Sequence, residues 1–150
     1  MADPTIESPE QAVQKWLRGE ISAQELFALN EETIQALADH GYMLYENGKY
    51  QKAAVVFEAL SAFDNANANY HKMLGSIYQI QGRYDAAYYR YTLAVKSQPS
   101  DIPLLVNRGE VLLKLGRNKE GIEDLKNAIL LDRDNNDPAS KRARILLSSL

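Results

Sequence analysis

Apolar and small residues recur along the chain at the three- and four-residue spacing of amphipathic helices. One stripe runs through Leu37, Gly41, Leu44 and Tyr45, and a second follows at Ala53, Phe57 and Leu60. The same pair of stripes returns as Leu74, Gly75 and Tyr78, then Ala87, Tyr91 and Ala94. Between the members of each pair lie Gly48-Lys49-Tyr50 and Gly82-Arg83-Tyr84. A glycine there suits the left-handed residue that ends a helix, and the tyrosine opens the next one. The pattern therefore predicts helix–turn–helix units with no strands.

The units are copies of one another. Gly41, Gly75 and Gly109 stand 34 residues apart, and Gly48, Gly82 and Gly116 repeat the same two intervals seven residues further on. Ala53, Ala87 and Gly121 keep the phase, as do Phe57, Tyr91 and Leu125, and then Leu60, Ala94 and Ala128. Small residues at 41, 75 and 109, and again at 53, 87 and 121, let the two helices of each unit approach closely. Pro99 ends the second unit, as a proline beyond a helix does. Ahead of the repeats, Ser8-Pro9-Glu10 combines an N-cap with an N1 proline, and Ala12, Val13, Trp16 and Leu17 form an apolar stripe, which predicts a helix at about 9–18. Ser22-Ala23-Gln24-Glu25 has capping-box form before Leu26 and Phe27 and predicts a short second helix or turn. Behind the repeats, Asp137-Pro138 starts a last helix with Ala139, Ala143, Leu146, Leu147 and Leu150 on one face. It reads as a cap over the end of a stack.

A period of 34 with Leu74-Gly75, Tyr78, Gly82, Tyr84, Ala87, Tyr91, Ala94 and Pro99 in order resembles the tetratricopeptide repeat. The resemblance implies an all-α solenoid and a single domain over 1–150: an N-terminal arm at 1–30, repeats at 34–67, 68–101 and 102–135, and a capping helix at 137–150. In such a stack the first helix of each pair lines a concave face, which makes a peptide groove the expected site. By column, the groove-facing residues are Gln35, Ala38, Tyr42 and Tyr45 in the first repeat and Asn69, Lys72, Ser76 and Gln79 in the second. The third contributes Pro103, Val106, Glu110 and Leu113. Tyr42 and Tyr45 can stack on an apolar anchor while offering a hydroxyl, and Asn69 and Gln79 can bond an extended backbone. Versions of the repeat that clamp a C-terminal carboxylate need Lys and Asn where this chain has Ala38 and Tyr42, so that ligand is disfavoured despite Lys72 and Asn107.

Composition narrows the function further. Hydrophobic residues make up 45 % and charged residues 25 %, ordinary for a globular chain, and the net charge of −3 leaves no electrostatic footprint for nucleic acid. The charge is uneven: residues 1–64 hold eleven acids against four bases, a formal −7, and the rest carries +4. With no cysteine, thiolate chemistry and disulfides are ruled out. His40 and His71 occupy non-equivalent columns without metal-ligand spacing, and every glycine pair is explained by packing and turns rather than by a phosphate loop. These features point away from an enzyme, a metal and any cofactor. The acidic start, MADPTIESPEQ, lacks secretory-signal form, and no apolar run is long enough to span a bilayer, so a cytoplasmic protein without membrane insertion is expected.

A narrower resemblance lies in Leu29-Asn30-Glu31-Glu32-Thr33-Ile34-Gln35-Ala36-Leu37 and Gly41-Tyr42-Met43-Leu44-Tyr45-Glu46-Asn47-Gly48-Lys49-Tyr50. It continues through Ala53-Ala54-Val55-Val56-Phe57-Glu58-Ala59-Leu60, Phe63-Asp64 and Gly82-Arg83-Tyr84-Asp85-Ala86-Ala87. Over about residues 20–95 the chain is similar to the class II chaperones of bacterial type III secretion, the LcrH/SycD-like translocator chaperones. Where that family often has a cysteine, this chain has Ser61. The resemblance implies a bacterial, cytoplasmic, non-catalytic chaperone whose groove holds an extended or apolar segment of a translocator before export. It also implies a possible homodimer through the N-terminal arm, for which Trp16, Leu17, Leu26 and Phe27 are the candidates. The alternatives are a chaperone of a needle or other export subunit, and a general repeat adaptor scaffold.

Overall fold

A computed structural model describes residues 8–28 and 30–150. Residues 1–7 and 29, which include the start of the expected N-terminal arm and Leu29 of the family-like stretch, lie outside the described residues. All regular structure among the described residues is helical, and the chain divides into two compact units that meet in sequence at Asn65 and Ala66.

The first unit holds α1 (Pro9–Leu17), α2 (Ala23–Phe27), α3 (Glu31–Glu46) and α4 (Tyr50–Phe63). Each of the first three begins where a short polar side chain takes up amide hydrogens that the first turn leaves without partners. Ser8 Oγ accepts from the Gln11 amide at 3.3 Å, and Asn30 Oδ1 accepts from the Thr33 amide at 2.9 Å. Ser22 and Glu25 form the expected capping box, with the Ser22 amide donating to Glu25 Oε2 at 2.7 Å. Gly48, at φ 72°, closes α3 and turns the chain into α4. The core is Ala12, Val13, Leu26, Leu37, Ala38, Leu44, Ala53, Val56, Phe57 and Leu60, all buried. Gly41 is the contact point between α3 and α4: a Cβ there would lie 2.9 Å from Val56 Cγ1 and 3.0 Å from Phe57 Cζ. Ser61, at the position of the family's cysteine, is buried, and its hydroxyl donates to the Glu58 carbonyl at 3.0 Å.

The second unit holds α5 (Ala68–Ile80), α6 (Tyr84–Ser97), α7 (Ile102–Lys114), α8 (Asn118–Leu131) and α9 (Pro138–Ser148). Asn67, Asp101 and Asp137 cap α5, α7 and α9 with their side chains. Gly75 admits the ring of Tyr91, and Gly109 and Gly121 face each other so closely that a Cβ on Gly121 would stand 2.9 Å from the Gly109 carbonyl oxygen. The period reads these as small columns; the structure shows them as helix-to-helix contacts. Arg108 and Asp124 join α7 to α8 through a two-pronged ion pair at 2.7 and 2.8 Å. Leu105, Val106, Leu125, Ala128, Ala139 and Ala143 form a cluster that seats α9 on the third helix pair, with Leu146 and Leu147 at its margin. Leu150 departs from the expected apolar face. It lies beyond the end of α9 and is exposed, because the helix stops at Ser148.

Of the framework tyrosines, Tyr78 and Tyr91 are buried, whereas Tyr50 and Tyr84 are half-buried. Tyr88 lies under the Arg117 guanidinium, 4.2 Å from its ring centre, and Tyr89 is exposed.

Candidate functional site

In the first unit the expected groove residues all stand on α3, and they divide by burial. Gln35 is exposed and donates to Asp39 Oδ1 at 2.8 Å. Ala38 is buried in the core of its unit, so it is a packing residue and not part of a groove lining. Counting columns places it on the open face of α3, but α3 also packs against α1, an element outside the repeat. Tyr42 and Tyr45 are each half-buried. Tyr42 meets Phe57 edge-on, with ring centres 5.1 Å apart, and Tyr45 meets Tyr50 in the same manner at 5.4 Å. Each ring is thus braced at one side by an aromatic while part of it stays open to solvent, which is the form of a preformed apolar contact surface. Burial, and after it the charge of Asp39, pushes the Tyr42 hydroxyl above the usual tyrosine range, so it remains a hydrogen-bond donor across physiological pH.

In the second unit the expected residues Gln79, Glu110 and Leu113 line one cavity of about 520 Å³ together with Tyr84, Lys114 and Leu146. It opens between the C-terminal halves of α5 and α7, with α9 along one side. Its polar floor is a chain of fixed contacts. The Tyr91 hydroxyl donates to Gln79 Oε1 at 2.8 Å, Gln79 Nε2 donates to Glu110 Oε2 at 3.2 Å, and Glu110 Oε1 takes a 2.8 Å contact from Arg142 Nε. Leu113 and Leu146 supply apolar wall. The remaining expected residues lie elsewhere. Val106 is fully buried in the cluster beneath α9 and lines no groove, since α9 covers that column. Lys72 is paired with Asp101 at 2.7 Å and also donates to Gln98. Asn69 and Pro103 are exposed, and Ser76 is half-buried. Asn107, like Lys72, is engaged: it accepts from Arg142 Nη2 at 2.6 Å.

Tyr84, Lys114 and Leu146 are the cavity residues that column counting misses, as is Arg142, which pairs with Glu110 without lining the cavity. Tyr84 has the role of a helix-opening framework residue in the repeat, and Leu146 and Arg142 belong to α9. The apolar face read on α9 is the signal that could have found Leu146.

The candidate self-association residues are mostly packed within their own unit. Leu26 is fully buried and so belongs to the core. Phe27 is half-buried and stacks on Phe63 of α4 at 4.6 Å, Trp16 is half-buried, and Leu17 is exposed. The buried histidine is likewise held structurally. His71 is buried with Nδ1 3.3 Å from Arg90 Nη1, and burial, then Lys49, lowers the pKa of His40. Among the described residues no group of three or more His, Cys, Asp or Glu is placed to hold a metal ion, and no helix is long and apolar enough to cross a membrane.

Comparison with known proteins agrees with the helical-repeat fold. Residues 102–135 match the tetratricopeptide repeat family. The chain is 27 % identical over 109 residues to Low calcium response locus protein H of Yersinia pestis, a match that covers 73 % of this chain and 65 % of that relative, just under two thirds of its length. The type III secretion translocator chaperone SycD of Yersinia enterocolitica superposes with a TM-score of 0.69 at 26 % identity, over 89 % of this chain and 96 % of that one. SycD has also been solved with a peptide of the translocator YopD. PcrH, a Pseudomonas aeruginosa protein, solved with the chaperone binding region of PopB, superposes with a TM-score of 0.71 at 25 % identity, over 78 % of this chain and 96 % of that one. Residues 102–135 are thus a tetratricopeptide repeat within an all-α repeat fold, and the chain is homologous to Low calcium response locus protein H and matches in fold the translocator chaperones SycD and PcrH.

Proposed function

We propose that this chain is a non-catalytic, cytoplasmic chaperone of bacterial type III secretion that holds an extended, apolar segment of a translocator and keeps it soluble before export. The observation that carries the reading is the homology to chaperones solved with translocator segments bound. The side chains suit the task. Tyr42 and Tyr45 present braced, partly open rings, and the second unit has an amphipathic cavity walled by Leu113 and Leu146. Pockets of this size and character are the usual form of a ligand site. In this reading residues 1–150 act as one client-binding domain, and the segment at 1–30 serves self-association through the open edges of Trp16 and Leu17.

A translocator has membrane-inserting stretches that aggregate in water, and covering a few anchors is enough to hold such a chain in solution. The test is co-expression with the translocators of the same bacterium, followed by affinity measurement on the purified pair. Tyr42→Ala together with Tyr45→Ala is expected to weaken client binding by about tenfold or more, since buried aromatic anchors supply a large share of such interfaces. The client should then return to the insoluble fraction. Full-strength binding by the double variant, or binding confined to folded enzymes or needle subunits, would overturn the reading.

A further inference from the structure

Asn47 is the only asparagine in the sequence that glycine follows, and the pair stands at the turn between α3 and α4. The two later turns show that the fold does not require it. Gln81-Gly82 and Leu115-Gly116 occupy the same place, with the residue before glycine at ψ 0° in both and 7° at Asn47, and with glycine φ between 71° and 74°. What asparagine adds is a side-chain amide carbon one ring closure away from the Gly48 nitrogen, and glycine, having no Cβ, leaves that nitrogen unhindered. The folded turn keeps the two groups apart. Asn47 Nδ2 donates to the Met43 carbonyl at 2.9 Å, and the Gly48 amide donates to the Tyr45 carbonyl at 2.9 Å. At ψ 7° the Gly48 nitrogen eclipses the nitrogen of Asn47 itself, whereas a five-membered ring through Cγ needs it to eclipse Cβ. Both hydrogen bonds must therefore open before the ring can close.

We propose that Asn47-Gly48 is a self-modifying site, at which opening of the last turn of α3 lets the chain convert asparagine to isoaspartate and aspartate beside Tyr45 and Tyr50. The Gly48 nitrogen, having lost its proton to solvent base, forms a bond to Asn47 Cγ. The Cγ–Nδ2 bond breaks, and Nδ2 leaves as ammonia with a proton from water. Water then adds to one carbonyl of the cyclic imide. Breaking the bond from nitrogen to Cγ gives aspartate; breaking the bond from nitrogen to the backbone carbonyl carbon gives isoaspartate, whose main chain runs through Cβ and Cγ. The net change consumes one water and releases one ammonia, with no oxidation or reduction. Either product puts a carboxylate at the negative end of α3, next to Glu46, and isoaspartate also lengthens the turn. That turn sets the edge-on contact of Tyr45 with Tyr50, 5.4 Å between ring centres, so the modified chain loses the bracing of Tyr45. On the client-binding reading above, on which this consequence alone rests, the chaperone ages at the surface that grips its client, and a bound client slows the ageing.

The full chain is incubated in mildly alkaline buffer, folded or in urea, and the peptide containing Asn47 is followed by mass spectrometry and isoaspartyl methyltransferase labelling. Conversion is expected at Asn47 before any other asparagine, and about tenfold or more slower in the folded chain than in urea, because the turn must open first. Asn47→Leu, which copies Leu115, is expected to keep the helical circular dichroism and to stay unlabelled. Equal rates with and without urea, no conversion in urea, or labelling that survives Asn47→Leu would overturn the site. Saturation with a translocator segment is expected to slow conversion about threefold, since a ligand of the folded turn opposes its opening. A client that binds while leaving the rate unchanged would overturn the link to the client surface. A chain that binds no translocator removes the chaperone reading, and gated conversion in the free chain then still stands.

Discussion

A methyl group at position 75 would sit 2.5 Å from Cε1 and 2.6 Å from Cδ1 of Tyr91. That ring cannot retreat without loss. It is 1 % exposed, and its hydroxyl is tied to Gln79, whose amide forms the floor of the cavity. Gly75→Ala must either strain the core or break the Tyr91–Gln79 bond. The expected cost is about 2–3 kcal/mol, at the upper end for overpacking, read as a lowered urea midpoint. Gly82 provides the contrast. Nothing lies within 4 Å of a Cβ added there, but its φ of 71° penalises any side chain by its backbone alone, for which roughly 1 kcal/mol is expected. Two glycines seven residues apart thus repeat with one period for unrelated reasons. Equal losses for the two alanine variants would show that the Tyr91 ring is not the limiting contact.

Between elements the decisive polar link is the Arg108–Asp124 pair, whose side chains are 19 % and 7 % exposed. Removing one partner leaves the other charge facing a low-dielectric surround, which in comparable pairs costs about 3–5 kcal/mol, whereas replacing both is close to neutral. Arg108→Met is therefore expected to destabilise the chain by about 3 kcal/mol, and adding Asp124→Leu should recover most of that loss in thermal unfolding. No recovery would mean that the pair acts chiefly through its packing. This scale also marks where the sequence was legible. Helices, caps, turn glycines and small columns follow from local chemistry and a fixed period, and they can be read without neighbours. Ala38 and Val106 could not be placed that way: a column rule counts positions within one repeat, and α1, which packs on α3, and α9, which covers Val106, lie outside it. The state of Gln79 was hidden for the same reason, since its partners are Tyr91, Glu110 and, one step on, Arg142, which are brought together only by the packing of α5, α6, α7 and α9. Leu26 was misread because an amphipathic stripe does not say whether its apolar edge meets its own chain or another.

At the scale of the molecule, the boundary at Asn65 and Ala66 falls beside the point where the charge changes from −7 to +4. Each unit buries its own core. In the second that core includes Leu74, Ile77, Tyr91, Leu104, Leu125 and Val106, with α9 seated over the last helix pair. Repeat stacks gain stability from intrinsic repeat terms and nearest-neighbour contacts, so two complete helix pairs with a capping helix are expected to form a cooperative element. Its length is also within the range in which single cores suffice. The segment 66–150, expressed alone, is therefore expected to show helical circular dichroism and one cooperative urea transition, and Gly75→Ala should lower that midpoint in the fragment as it does in the full chain. A fragment that melts without cooperativity would show that the Tyr91-centred core needs α1–α4 to form. Because Leu113, Lys114 and Leu146 all lie within this segment, a folded fragment would also have to keep the cavity while losing every contact that depends on Tyr42 and Tyr45.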